Sequence, residues 1–237
     1  PYGLSITVNN IKVSCNNTIL KGNISNYPTA FFAYDKTNIS IENCRLVDYN
    51  TGFGFQNVNN SYFINNTMTN GSYGFDIYYG NKNSFIKNRF NNVYTSFWLY
   101  RSSNNSFLNN SVLGGTTGFL MYENNTKNNL LYNNFSSDYY NIHILNNNNI
   151  NNTIIKNIIN GNGITDDREE DNIYCINNTG NIYINNATGP TCYVICNPNI
   201  INTTFSNWQN ISCLKIDKMN QTRSRIQYDI NNCNITQ

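Results

Sequence analysis

The sequence predicts an all-β solenoid, a parallel β-helix, on three observations. The first is a step of about 22 residues that brings like residues into columns. One apolar column reads Ile19, Ile41, Phe63, Phe85, Phe107, Leu130, Ile154, and a second, three residues on, reads Gly22, Cys44, Asn66, Asn88, Asn110, Asn133, Asn157. A third reads Ile24, Leu46, Met68, Phe90, Val112, Phe135, Ile159, and a fourth, in the other half of the repeat, Phe31, Phe53, Phe75, Phe97, Phe119, Ile142, Ile164. The second observation is period-two alternation within each repeat, as in Phe97 and Leu99 or Phe119 and Met121, which is strand spacing. The third is that Asn, Gly and Ser, which tolerate left-handed turns, fill the gaps, while no stretch carries the i, i+3, i+4, i+7 recurrence of a helix. A fixed Asn on every rung can bond the Asn above and below at the strand spacing of about 4.8 Å.

In chain order, residues 1–26 read as the first rungs, with Ile11, Val13, Cys15 and Ile19 pointing inward, and a loop at Asn26-Tyr27-Pro28 leads into the strand at Phe31. Regular rungs of 22–24 residues run to residue 164. Residues 165–237 read as irregular, Cys-rich rungs with longer loops, because Ile200-x-x-Thr203-x-Phe205 and Ile230-x-x-Cys233-x-Ile235 repeat the signature of Ile41-x-x-Cys44-x-Leu46. The expectation is one domain, residues 1–237, of about ten rungs, since solenoids lengthen without adding domains.

The repeat resembles the right-handed parallel β-helix repeat family, which includes pectate lyases and NosD-like surface proteins. The opening Leu4-Ser5-Ile6-Thr7-Val8-Asn9-Asn10-Ile11 through Ile19 is similar to the first rungs of NosD-like chains, and the likeness extends over residues 4–164. It implies a right-handed coil and leaves activity open, because fold alone does not fix function. A pectate-lyase-like site would need clustered Asp residues for Ca²⁺ and a basic residue to abstract a proton, and related hydrolases need paired carboxylates. The outward positions of the fourth-column strand read Phe32, Gly54, Asp76, Trp98, Leu120, His143, with one acidic residue. His143 is the single histidine, which excludes a His-rich metal site, and Met68, Met121 and Met219 are scattered. No catalytic residue, resident metal or other cofactor is therefore expected.

Two residues further on, Tyr34, Gln56, Tyr78, Tyr100, Tyr122 and Leu145 also face outward. Phe32, Tyr34, Tyr78, Trp98, Tyr100 and Tyr122 thus form an aromatic strip suited to stacking on sugar or to contact with a partner. The run Asp166-Asp167-Arg168-Glu169-Glu170-Asp171 reads as a solvated loop, with a weak Ca²⁺ site as the sharper alternative, because it lacks the spacing of a dedicated calcium loop.

Charge is sparse, 12% of residues with a net +2, which argues against nucleic acid and anionic membranes as partners. Seven cysteines suit an oxidising compartment. Cys15 and Cys44 read as buried small hydrophobes, whereas Cys175–Cys196 and Cys192–Cys213, each 21 residues apart, are disulfide candidates.

Seventeen N-x-S/T sequons begin at Asn16, Asn23, Asn38, Asn59, Asn65, Asn70, Asn104, Asn109, Asn124, Asn134, Asn151, Asn177, Asn186, Asn202, Asn210, Asn220 and Asn234, against about nine by chance. Either they carry N-linked glycan on an exported chain or the rung pattern itself generates them. No signal peptide or membrane span is evident, and the start at Pro1 reads as a mature form or a segment of a precursor. Rungs at both ends read as open, and uncapped strand edges invite end-to-end pairing of copies. These features favour a non-catalytic, glycosylated extracellular protein of a cell-surface layer or filament. A carbohydrate-binding adhesin module is the second expectation, and a polysaccharide lyase or hydrolase the third.

Overall fold

The computed structural model describes residues 3–145, 149, 151–167 and 182–184, and all of them fall in one compact unit. Strands stack in parallel register around a narrow core. A seven-stranded sheet carries Ile11–Ser14, Ile39–Glu42, Tyr62–Ile64, Ser84–Ile86, Ser106–Leu108, Asn129–Leu131 and Thr153–Ile155 in that order. Seven strands in file mean six rung-to-rung steps, and the remainder of the ten-rung expectation concerns residues outside those described. A fourteen-stranded sheet supplies the other two faces, which merge where Thr67–Tyr78 and Arg89–Tyr100 run unbroken through the corner between them. Among the described residues the one helical turn is the 3₁₀ segment Ile24–Asn26, and no helix is long and apolar enough to cross a membrane.

The columns exist as physical stacks from Ile41 onward. Phe63, Phe85 and Phe107 occupy one register, with ring centroids 5.0 Å and 4.6 Å apart and each ring fully buried. Phe31, Phe53, Phe75, Phe97 and Phe119 form a second file, followed in register by Ile142 and Ile164. The two files meet edge to face, as in Phe97 against Phe107 at 5.3 Å and 83°, an arrangement that suits the ring quadrupoles.

The first rung departs from the 22-residue step. Val13, not Ile19, lies under Ile41, and Leu20, not Ile24, lies under Leu46. Ile19 is 54% exposed and Ile24 43%, so neither belongs to the core. The cause is extra residues at two turns, around Asn16–Asn17 and at Ile24–Asn26, which lengthen this rung and shift its phase. Cys15 and Cys44 are also more than buried hydrophobes, because they form a disulfide across adjacent rungs with Cα atoms 4.8 Å apart. The strand spacing itself puts equivalent Cα atoms within bonding range.

Asparagine runs through the interior in ladders. Asn88 donates Nδ2 to the Phe63 carbonyl at 2.9 Å and to Asn110 Oδ1 at 3.1 Å, while its own Oδ1 accepts from the Asn66 backbone N–H and Nδ2. Asn110 and Asn133 repeat these bonds toward Asn133 and Asn157. Two more ladders, not anticipated from the columns, occupy the other corners. One passes through Ser61, Asn83, Asn105, Asn128 and Asn152, the other through Ser102, Asn125 and Asn149. Each amide satisfies the backbone groups that the turning chain would otherwise leave unpaired in the core.

The corners need left-handed backbone, and there the chain places residues such as Asn38, Asn65, Asn104 and Asn109, with φ between 52° and 55°. Asn tolerates this region better than most L-residues.

Candidate functional site

The outward aromatic strip is the best-defined candidate site. Pairing puts Phe32, Gly54, Asp76, Trp98, Leu120 and His143 in one register, and Tyr34, Gln56, Tyr78, Tyr100, Tyr122 and Leu145 in another. Period-two alternation sends these side chains out while Phe97, Leu99, Phe119 and Met121 go in. The Tyr78, Tyr100 and Tyr122 rings follow one another at 5.4 Å and 5.8 Å. Phe32 and Tyr34 are about half exposed at the first rung, and Trp98 and the later tyrosines are half-buried. Arg101 lies over the Tyr100 ring at 4.9 Å and pairs with Glu123 at 2.9 Å. His143 stacks on Tyr140 at 4.1 Å.

Tyr73 joins this strip from outside the two repeated columns. It pairs with Thr51 and Thr95, an outward column with few aromatics, so no repeated signal marked it. Its ring lies 5.2 Å from that of Trp98, and Tyr78 approaches the same indole at 6.2 Å. Asp76 therefore stands in a polar gap among three rings. Its Oδ1 is closed off from solvent without a hydrogen-bond partner, and so is Trp98 Nε1. Burial raises the Asp76 carboxyl from 3.8 to about 6. Burial, then the Asp76 charge, pushes Tyr78 up to about 12 and raises Tyr73 as well.

Eleven sequon asparagines fall among the described residues: Asn16, Asn23, Asn38, Asn59, Asn65, Asn70, Asn104, Asn109, Asn124, Asn134 and Asn151. Asn59 and Asn70 are half-buried, the other nine are exposed, and none stands in a buried ladder. Eight of them hold φ between 47° and 58°. In Asn65-Asn66-Thr67 the first residue makes the left-handed corner, the second enters the ladder and the third opens the next strand. The rung thus writes sequons as it turns. Asn177, Asn186, Asn202, Asn210, Asn220 and Asn234 lie outside the described residues.

So do the disulfide candidates Cys175, Cys192, Cys196 and Cys213, and Glu169, Glu170 and Asp171 of the acidic run. Asp166 and Asp167 begin that run inside a strand, Ile164–Asp167, whose backbone pairs with Ile142–Leu145. Among the described residues no group of three His, Cys, Asp or Glu side chains is placed to hold a metal ion.

A family model for the right handed beta helix region matches residues 6–159, which spans the seven-stranded sheet and the whole strip. The chain belongs to the right-handed β-helix family. No curated protein and no solved structure matches it. Family membership fixes the coil that brings the β-helix columns into file, and the function must be argued from the residues those files carry.

Proposed function

We propose that the chain is a non-catalytic, exported β-helix protein of a cell-surface layer or filament, carrying N-linked glycan and contacting copies of itself. The observation that carries the reading is the Cys15–Cys44 disulfide, which closes the first rung where the Asn66–Asn157 ladder runs out. A structural disulfide persists in oxidising compartments and not in a reducing cytosol. The nine exposed sequon asparagines support it, since each holds its amide at the surface. The strip also supports a non-catalytic role: its outward files from Phe32 to His143 and from Tyr34 to Leu145 hold one carboxylate, where glycoside hydrolysis uses two. Parallel stacking supports self-association, because an exposed strand edge is a template for pairing with another chain. Intact mass of natively sourced protein tests the glycan. A value at the polypeptide's 27.2 kDa sinks that part of the reading. Negative-stain images that hold only monodisperse particles at high concentration sink the assembly.

A second reading is favoured by the Tyr78–Tyr100–Tyr122 file. Successive phenol rings at rung spacing make a ladder on which pyranose faces can stack, as in an adhesin. Glycan-array binding that survives Trp98→Ala with Tyr100→Ala would remove it.

A further inference from the structure

We propose that the protein's own N-linked glycan, joined at Asn65, Asn104, Asn109 and Asn151, lies across an aliphatic file on the outer face of the seven-stranded sheet. This rests on the glycan part of the reading above and adds where the sugar sits and what it covers.

The outer face of that sheet carries an apolar file of its own. Pairing puts Ile64, Ile86, Leu108, Leu131 and Ile155 in one register, and alternation turns them outward while Phe63, Phe85, Phe107, Leu130 and Ile154 go in. All five are half-buried, and the outward column beside them holds the small or polar Ser84, Ser106, Asn129 and Thr153. The strands of this sheet carry charge only at one end, in the Lys12–Glu42 pair. A continuous apolar stripe of this kind marks a surface that something covers.

The borders of the face identify the cover. The corner that follows the file holds Asn65, Lys87, Asn109, Tyr132 and Lys156, and the corner that precedes the sheet holds Lys82, Asn104, Lys127 and Asn151. All nine have φ between 52° and 58°. Lys and Tyr occupy this left-handed backbone as Asn does, so the turn alone does not demand a sequon. Yet Asn65, Asn104, Asn109 and Asn151 each begin one, and all four are exposed. Within either corner they stand two rungs apart, about 9.6 Å, which gives each sugar chain twice the strand spacing. Asn65 follows Ile64 and Asn109 follows Leu108, so a sugar on either begins beside the file.

Attachment forms a bond from Asn Nδ2 to the anomeric carbon of a diphosphate-linked sugar donor. It breaks that carbon's bond to the diphosphate oxygen and passes one Nδ2 proton to a base of the transferase. The second amide proton remains, enough for the bonds from Asn65 to Asn43 Oδ1 at 2.8 Å and from Asn104 to Asn81 Oδ1 at 3.1 Å. A pyranose then offers its C–H face to the file and its hydroxyls to Ser84, Ser106 and Thr153. A second copy laid on the same face would instead set corner lysines against lysines.

The test compares the full chain from its native source with the same chain made in an oxidising host that lacks the transferase. Glycopeptide mass spectrometry of the native chain should find sugar at the four asparagines. With circular dichroism unchanged, the bare chain should bind anilinonaphthalene sulfonate at least about fivefold more tightly, as expected for one or two more exposed methylene groups. Ile86→Thr with Leu108→Thr, which keeps β-branched residues in the strands, should erase that difference. Sugar confined to other sequons, equal dye binding by the two forms, or a difference that survives the double variant overturns the proposal and leaves the glycan reading standing. A bare chain that hides the file by dimerising in sedimentation gives the face to a second copy and overturns it as well. A native mass equal to the polypeptide's removes both.

Discussion

Replacing Asn88 by Ala isolates what one rung of an amide ladder contributes. The side chain is fully buried and takes part in four hydrogen bonds, to the Phe63 carbonyl, to Asn110 Oδ1, and from Asn66 N–H and Nδ2. Alanine removes all four and leaves the Asn66 N–H enclosed without a partner, while the Phe63 carbonyl keeps its bond within the strand ladder. At about 1 kcal/mol of net stability per bond the loss is about 4 kcal/mol, and the orphaned Asn66 N–H pushes it upward. Asn134→Ala is the matched control: an exposed strand asparagine whose side chain makes no hydrogen bond, and whose loss should cost under about 0.5 kcal/mol. Urea unfolding followed by far-ultraviolet circular dichroism reads both, with equal m-values required because solenoids can unfold piecemeal. If Asn88→Ala costs no more than Asn134→Ala, the interior ladders are incidental and the structural reasoning fails at its base.

Phe85→Ala deletes a ring stacked between Phe63 and Phe107 and should lower stability by about 3–5 kcal/mol, seen as a depressed Tm. Asp76→Asn should instead stabilise the protein at pH 8. The folded carboxyl titrates at about 6, above its ordinary 3.8, so the folded state carries a penalty of up to about 3 kcal/mol above pH 6 that disappears as pH falls toward 4. A wild-type Tm that rises from pH 7 to pH 5, with the rise absent in Asp76→Asn, is the expected pair of curves. Cys44→Ser opens a 29-residue separation and should cost about 3–4 kcal/mol, with faster hydrogen exchange confined to Ile11–Ser14 and Ile19–Lys21 if the disulfide acts on the first rung.

Side-chain chemistry made most of the coil legible. From Ile41 to Ile159 every rung repeats its inward residues at a nearly fixed step, and a period survives any amount of substitution that keeps residue class. The first rung departs from its expected members because a period measured elsewhere cannot register the extra residues around Asn16–Asn17 and at Ile24–Asn26. Its true members, Val13 and Leu20, are as apolar as Ile19 and Ile24, so composition gave no warning. The Cys15–Cys44 bond was within reach of the reasoning applied to Cys175–Cys196, but a 29-residue separation fits no 22-residue column. Two ladders went unseen because Asn is so abundant that Asn83, Asn105 and Asn128 do not stand out between turn residues. The outward columns pair in the registers that the spacing implies, yet Tyr73 and the unpaired oxygen of Asp76 depend on packing between rungs that no spacing encodes.

Every amide in the interior files is oriented the same way. Asn66 donates toward Asn88, Asn88 toward Asn110, Asn110 toward Asn133 and Asn133 toward Asn157, with Asn105 to Asn128 to Asn152 and Asn125 to Asn149 running in the same sense. Co-aligned group dipoles add and polarise one another in a low-dielectric interior. The stack is consequently an electret with a donor pole and an acceptor pole, set by neutral side chains and indifferent to the protein's small net charge.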